Sequence, residues 1–140
     1  GSATIHLFDK PVYFPGITSA TADVATGEST TSTSYTDLAT VGPAVTLTPG
    51  RATDQMIHIK ARMRNSGTGE TYISVAIAGA VAAGIDSAMT TSDVANSDHT
   101  QSSFVLTTSV ANGSTHTTKY RVTANTGVYN DRRISAFTLN

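Results

Sequence analysis

Ile57-His58-Ile59-Lys60-Ala61-Arg62-Met63-Arg64 alternates at every position: Ile, Ile, Ala and Met on the odd numbers, His, Lys, Arg and Arg on the even. Such alternation marks a strand with one face buried and the other in water. A helix would gather Ile57, Lys60, Ala61 and Arg64 on one face, and only Ile57 and Ala61 of these are apolar, so the helical pattern fails. The rest of the chain is organised around this amphipathic strand.

Toward the carboxy terminus, Asn65-Ser66-Gly67-Thr68-Gly69 is a turn-rich loop, and Thr71 to Ala80 returns as a strand in which Ile73, Val75 and Ile77 alternate. Two strands joined so closely predict an antiparallel hairpin. Val75 to Gly84 has no polar side chain, and Gly79 and Gly84 mark a bend. Ile85 to Gln101 is polar and reads as a long loop or lid, with a short helical turn around Ser92 to Ala95. Ser103 to Thr108 is a further strand, and Asn112-Gly113 a tight turn into Ser114 to Ala124. There Tyr120, Val122 and Ala124 face one way and Lys119, Arg121 and Thr123 the other. Asn125-Thr126-Gly127 and Asn130-Asp131 bracket a surface loop that holds Tyr129, and Arg132 to Leu139 is a terminal strand.

Toward the amino terminus, Ala44 to Thr48 is a strand with Val45 and Leu47 inward, set between Gly42-Pro43 and Pro49-Gly50. Ile17 to Ser34 is rich in Ser, Thr, Ala and Gly and reads as a surface connection or as an arm along a neighbouring subunit. Thr4 to Phe8 and Val12 to Phe14 are short strands, the second an edge strand or extended arm because prolines flank it. Gly1-Ser2 reads as an expression scar, and residues 3–140 as a single domain with an extended arm over about 3–34. Roughly eight strands punctuated by turns predict an all-β fold: a two-sheet antiparallel β-sandwich in jelly-roll arrangement.

Composition narrows the function. Serine and threonine make up 40 of the 140 residues, which suits a pleated surface. Without cysteine there is neither a disulfide framework nor a thiolate metal site. No run of apolar residues is long enough to insert as a membrane helix. Nine basic and ten acidic residues give a net charge of −1, which argues against bulk attraction to nucleic acid.

Two stretches carry a resemblance. Thr31-Ser32-Thr33-Ser34-Tyr35-Thr36-Asp37-Leu38-Ala39-Thr40-Val41-Gly42-Pro43-Ala44-Val45-Thr46-Leu47 resembles the start of carboxy-terminal modules in virion proteins of tailed bacteriophages, especially those of actinobacterial hosts. Asp131-Arg132-Arg133-Ile134-Ser135-Ala136-Phe137-Thr138-Leu139 is similar to the last strand of such modules. The resemblance covers about a fifth of the chain and includes no catalytic fingerprint. It implies a jelly-roll head on a fibre, tail protein or capsid decoration at the virion surface, commonly trimeric, with other virion proteins and a host cell-surface glycan as partners. It transfers no binding residues.

Candidate sites follow from residue chemistry. The histidines are His6, His58, His99 and His116, and none lies in a nucleophile context such as Gly-x-Ser-x-Gly. Glu28 and Glu70 are the only glutamates, and the acids are scattered singly, unlike a glycosidase pair. Asp98-His99 near Asp93 offers oxygen and imidazole donors, but loop neighbours of this kind are ordinarily solvated. The expectation is therefore no enzyme, no cofactor and no metal. Tyr129, Asn130 and Asp131 form the candidate ligand loop: a tyrosine to stack on a sugar and amide or carboxylate to hold its hydroxyls, against the plainer reading of a turn whose tyrosine covers the core edge. His58, Lys60, Arg62 and Arg64 form a basic face for an anionic partner or another subunit, against the plainer reading of a solvated face. Nucleic acid ranks last because no aromatics interleave with those charges. Lys119 and Arg121 are expected not to lie directly opposite them, since like charges so placed destabilise a sheet. Val75, Ile77, Ala78 and Ala80 lie in the small-residue run and are expected to allow close approach to another copy; with the fibre resemblance this predicts a homotrimer, residues 72–84 near its axis and the basic strand beside them. A carbohydrate-binding module appended to a secreted or virion-borne enzyme is the alternative.

Overall fold

The computed structural model describes residues 17–81, 88–91 and 95–139, with side chains left out of the description at 81 and 88–91. The expected strands at Thr4 to Phe8 and Val12 to Phe14 and most of the helical turn at 92–95 lie outside these residues. The described strands are β1 (Ser19–Val24), β2 (Glu28–Thr30), β3 (Ala44–Thr46), β4 (Thr53–Asn65), β5 (Glu70–Ile77), β6 (Ala80–Val81), β7 (Ala88–Thr91), β8 (His99–Val110), β9 (Thr115–Val122) and β10 (Gly127–Thr138). All their pairings are antiparallel.

One sheet, A, runs β1-β10-β4-β8, with β2 continuing along β10 below β1; the other, B, runs β3-β9-β5, with β6 and β7 sharing the far side of β5. Each sheet is thus four positions wide, and the order of the eight positions is that of a jelly roll. The expected fold class is the one observed. The alternating stretch Ile57 to Arg64 lies in β4, between β10 and β8, and its Ile57, Ile59, Ala61 and Met63 are fully buried. Ile73 and Val75 of β5, Tyr120 of β9 and Ile134 and Ala136 of β10 close on them from both layers. Each fully buried large aliphatic side chain contributes about 1.5–3 kcal/mol.

Three expectations change. First, β4 and β5 do not pair: one lies in each sheet. The loop between them turns across the sandwich because Asn65 points inward. Its amide donates to the Ala124 carbonyl at 3.0 Å and its oxygen accepts from Gly67 N–H at 3.0 Å, while Ser66 N–H bonds the Thr126 carbonyl. The Ala111–Ser114 turn, with Gly113 at φ 79°, likewise leads from sheet A to sheet B. Second, Ser19–Val24 and Glu28–Thr30 are edge strands on β10, so the expected arm does not extend to residue 34. Third, His99 to Gln101 belongs to β8 and Ala88–Thr91 to β7, inside the stretch expected to be a loop.

The segment expected to be a loop around Tyr129 is the first half of β10. Its register on β4 shifts between Asn130 and Arg133, and Asp131 takes φ 48°. This bulge places two consecutive residues, Asn130 and Asp131, off the core side and reverses the phase of the strand. Arg132 consequently enters the interior and is fully buried. Its guanidinium donates to Glu28 Oε2 at 2.7 Å, to the Gly42 carbonyl at 3.2 Å and to the Thr26 carbonyl at 3.4 Å. It ties β2 and the approach to β3 onto β10.

Candidate interaction surface

Polar chemistry inside the sandwich is committed to the scaffold. His116 of β9 is fully buried; its Nδ1 faces Ala78 N–H at 3.4 Å and its Nε2 faces Gln55 Oε1 at 2.8 Å. A ring that accepts at Nδ1 and donates from Nε2 is the neutral imidazole. Burial pushes its pKa below the usual histidine value. Tyr120 shares a 2.6 Å hydrogen bond with Thr118 Oγ1 and donates to the Gly42 carbonyl at 2.8 Å. Burial raises the hydroxyl pKa of both Tyr120 and Tyr129.

Tyr129 is therefore not a ligand platform. It is fully buried, its hydroxyl lies against the carbonyls of Arg121 at 2.7 Å and Tyr72 at 3.0 Å, and its ring meets Tyr120 edge-on at 4.7 Å. Of the plainer reading, a turn whose tyrosine covers the core edge, the core contact is observed, but the residue lies inside strand β10 and not in a turn. Asp131 is exposed and pairs with Arg62. Val75 is fully buried and Ile77 packs on the core, so neither lines an outer interface; Ala78 and Ala80 are exposed at the β5–β6 turn. The basic residues are on the outward side of sheet A, so they do not share a face with residues 72–80 in sheet B.

That outward side of sheet A is the surface on which residues of different strands come together. Register aligns them in rows: Ser19–Phe137–Met56–Leu106, then Thr21–Ser135–His58–Phe104, then Asp23–Arg133–Lys60–Ser102. The first row is largely apolar; in the second, Phe104 is the one apolar side chain, and Thr21 donates to the Ser135 hydroxyl at 2.9 Å. Phe104 and Leu106 are 63% and 64% exposed, and His58 stacks on Phe104 with ring centroids 4.6 Å apart. Partial burial, with Lys60 and Arg133 nearby, lowers the His58 pKa.

The third row begins a charged half. Arg133 donates to both carboxylate oxygens of Asp23, at 2.5 and 3.2 Å. That hydrogen bond holds the Asp23 carboxyl below the usual range and raises Arg133. Arg62 lies 3.3 Å from Asp131 and 3.9 Å from Asp98. The basic strand is thus interleaved with carboxylates from β1, from β10 and from Asp98 just before β8, which sequence spacing does not reveal because each comes from a distant stretch. A cavity of about 300 Å³ opens at the β10 bulge, lined by Asp23, Val24, Ala25, Lys60, Asp131, Arg132 and Arg133. Lys119 and Arg121 stand in the other sheet, as expected. Lys119 pairs with Asp37 at 2.6 Å, and Arg121 lies over the rings of Tyr72 and Tyr35, at 3.9 and 5.3 Å.

No protein-family model matches the chain, and no curated protein matches it in sequence. Among solved structures, the VP2 subviral particle of infectious bursal disease virus is similar over 97% of this chain at 12% identity, with a TM-score of 0.52. This chain spans 37% of the length of that VP2 chain. The Gx strain of the same virus gives 12% identity over 99% of this chain and 36% of the other, with a TM-score of 0.47. Eiger TNF from S. frugiperda gives 11% identity over 89% and 92% of the two chains, also at 0.47. What the chain shares with VP2 is the fold, a two-layer antiparallel β-sandwich.

Proposed function

We propose that this chain is a non-enzymatic structural module of a virus particle, displayed on the surface of a bacteriophage virion as a fibre head or capsid decoration and assembled as a homotrimer. The observation that carries the reading is the division of labour between interior and surface. The buried Arg132, His116, Tyr120 and Tyr129 all hold the jelly roll together, while the outward side of sheet A presents an apolar patch of Phe137, Met56, Leu106 and Phe104 beside a charge-interleaved half. The jelly-roll likeness to a virus-particle protein and the two phage-like stretches support the same reading. Light scattering tests the assembly: the expected mass is a multiple of three 14.5 kDa chains, and a mass that is not such a multiple overturns the trimer. Labelled protein binding to actinobacterial cells tests host attachment, and no binding removes that role.

A second reading, the carbohydrate-binding module, now rests on Phe104, an exposed ring backed by His58. Saturable glycan affinity lost in Phe104→Ala is its expected signature. Affinity that survives the substitution, or none in the parent, removes it.

A further inference from the structure

We propose that β8 is an assembly edge, on which a second copy of this chain lays its own β8 antiparallel about a two-fold axis at Val105. The inference does not depend on the virion reading; it starts from how the sheet edges differ. An edge strand presents unpaired backbone donors and acceptors, and proteins blunt such edges with shortness, charge, proline or bulges. Among the described residues the two sheets have four edges, and three of them are treated in that way. The β1–β2 edge is split into strands of six and three residues and carries Asp23 and Glu28. β3 has three residues between Pro43 and Pro49. The edge opposite it is divided between β6, of two residues, and β7, of four.

β8 is treated differently. It runs 12 residues at the end of sheet A, and from Thr100 to Val110 it contains no charged residue, proline or glycine. Its register on β4 is unbroken from His99 to Thr107, and a bulge at Thr108–Ser109, with Ser109 at φ 53°, interrupts only its far end. On the regular, uncharged part of this edge stand Phe104 and Leu106, each more than 60% exposed. Ser-Ser-Phe-Val-Leu-Thr-Thr has the composition that pairs readily with another strand.

The occupant that fits is the same strand. With Val105 on the two-fold axis, Phe104 of each copy lies opposite Leu106 of the other on the outward side, and Ser103 opposite Thr107 on the inward side. No charged residue opposes another between Thr100 and Val110, so the edge is self-complementary. The Met56–Phe137 row continues the apolar contact inward from the edge. The stretch that is regular on both sides of Val105 runs from Ser103 to Thr107, five residues at about 3.4 Å each, or roughly 17 Å of edge. Main-chain hydrogen bonds carry the contact, and it strengthens with concentration.

Light scattering from micromolar to millimolar concentration, on the parent and on a Phe104→Lys/Leu106→Lys variant, tests the pairing. Both substituted side chains are exposed, so the fold is expected to persist, checked by circular dichroism. At the upper concentrations the parent is expected to have twice the variant's mass. A trimeric variant beside a hexameric parent supports both this pairing and the proposed trimer. A monomeric variant beside a dimeric parent supports the pairing and overturns the trimer. Equal masses overturn the pairing, including the case in which this chain's own residues 3–16, 82–87 or 92–94 cover the edge. Should the variant not fold, single-cysteine proteins decide. Opposed residues in an antiparallel pair have Cα atoms about 4.5–5.5 Å apart, within disulfide reach. A mixture of Phe104→Cys and Leu106→Cys proteins, whose exposed side chains oppose each other in the proposed pair, is expected to form a disulfide-linked dimer of the two on mild oxidation, and Thr46→Cys on the β3 edge is not. Equal cross-linking of the mixture and of Thr46→Cys, or none in the mixture, overturns the proposal.

Discussion

Arg132 and Arg133 are neighbours on β10, yet they belong to different environments. Arg132 is fully buried against Glu28, whose side chain is 12% exposed, and against the backbone carbonyls of Thr26 and Gly42. Arg133 meets Asp23 on the outward side, where both side chains are about half exposed. The pairs contain the same chemical groups at similar distances, 2.7 and 2.5 Å. Their difference comes from the bulge at Asn130–Asp131, which sets the face each residue takes. An ion pair removed from water is costly to break because a charge is left without solvent or partner, whereas an exposed pair gives its charges back to water. A one-residue irregularity thus makes one arginine part of the scaffold and the next part of the surface.

Removing Arg132 should produce the largest effect. Arg132→Ala leaves Glu28 facing the interior and frees three strand-linking contacts, and about 3–5 kcal/mol of stability should be lost. Urea unfolding measures it, and a midpoint shift no larger than that of Arg133→Ala would erase the distinction. The double variant Arg132→Met/Glu28→Leu sharpens it: with neither charge present, most of the loss should be recovered. Glu28 adds an acid-side signature. Hydrogen bonds from Thr40 and Arg132 hold its carboxyl below the usual value, so its contribution is present at neutral pH and is lost as pH falls through that lowered pKa.

His116 is a smaller break inside the sandwich. Its pKa is lowered by burial, so below the ordinary histidine value the unfolded chain binds a proton that the folded chain does not. Stability should therefore be complete above about pH 6.5 and decline as pH falls through that value, levelling once the folded ring is protonated. His116→Leu should remove this slope and cost about 1–3 kcal/mol at neutral pH, since Gln55 and Ala78 N–H lose their partner. His58 contributes a slope of the same sign from the surface, so the His58→Gln/His116→Leu pair apportions it. A slope unchanged in His116→Leu would overturn the assignment.

How far these features were legible in the sequence follows from what sets each one. Alternation in Ile57 to Arg64 is a local property, and it correctly located β4, its buried face and hence the fold class. The sandwich crossing after β4 was not legible, because a short polar loop suits a hairpin equally well and the Asn65 bond that reaches across is to Ala124, about sixty positions away. Tyr129 was misread for a related reason: Asn130 and Asp131 have the composition of a turn and instead form a bulge within a continuous strand. The carboxylates that accompany the basic face come from Asp23, Asp98 and Asp131, which only the sheet order brings together. The signal available for the β8 edge was local but negative, eleven residues without charge, proline or glycine, and it acquires meaning only once β8 is known to end a sheet.

The smallest expected effect belongs to Arg133 and Asp23. Asp23→Asn keeps the shape of the side chain and removes its charge, leaving Arg133 to water and to its in-register neighbour Lys60. Water solvates both groups well in the unfolded chain and on the open sheet, so the urea midpoint should barely move. A second, finer consequence follows from the like charges that remain. Without Asp23, Arg133 and Lys60 stand side by side on β10 and β4 with no carboxylate bridging the row, and repulsion there should make the variant slightly more stable as salt is added. The parent should respond in the opposite sense or not at all, because salt screens its Asp23–Arg133 attraction. Unfolding of both proteins in low and high salt measures the difference. If Asp23→Asn destabilises as strongly as Arg132→Ala, the outward side of β10 is as dependent on its ion pair as the inward side, and the contrast between the two arginines fails.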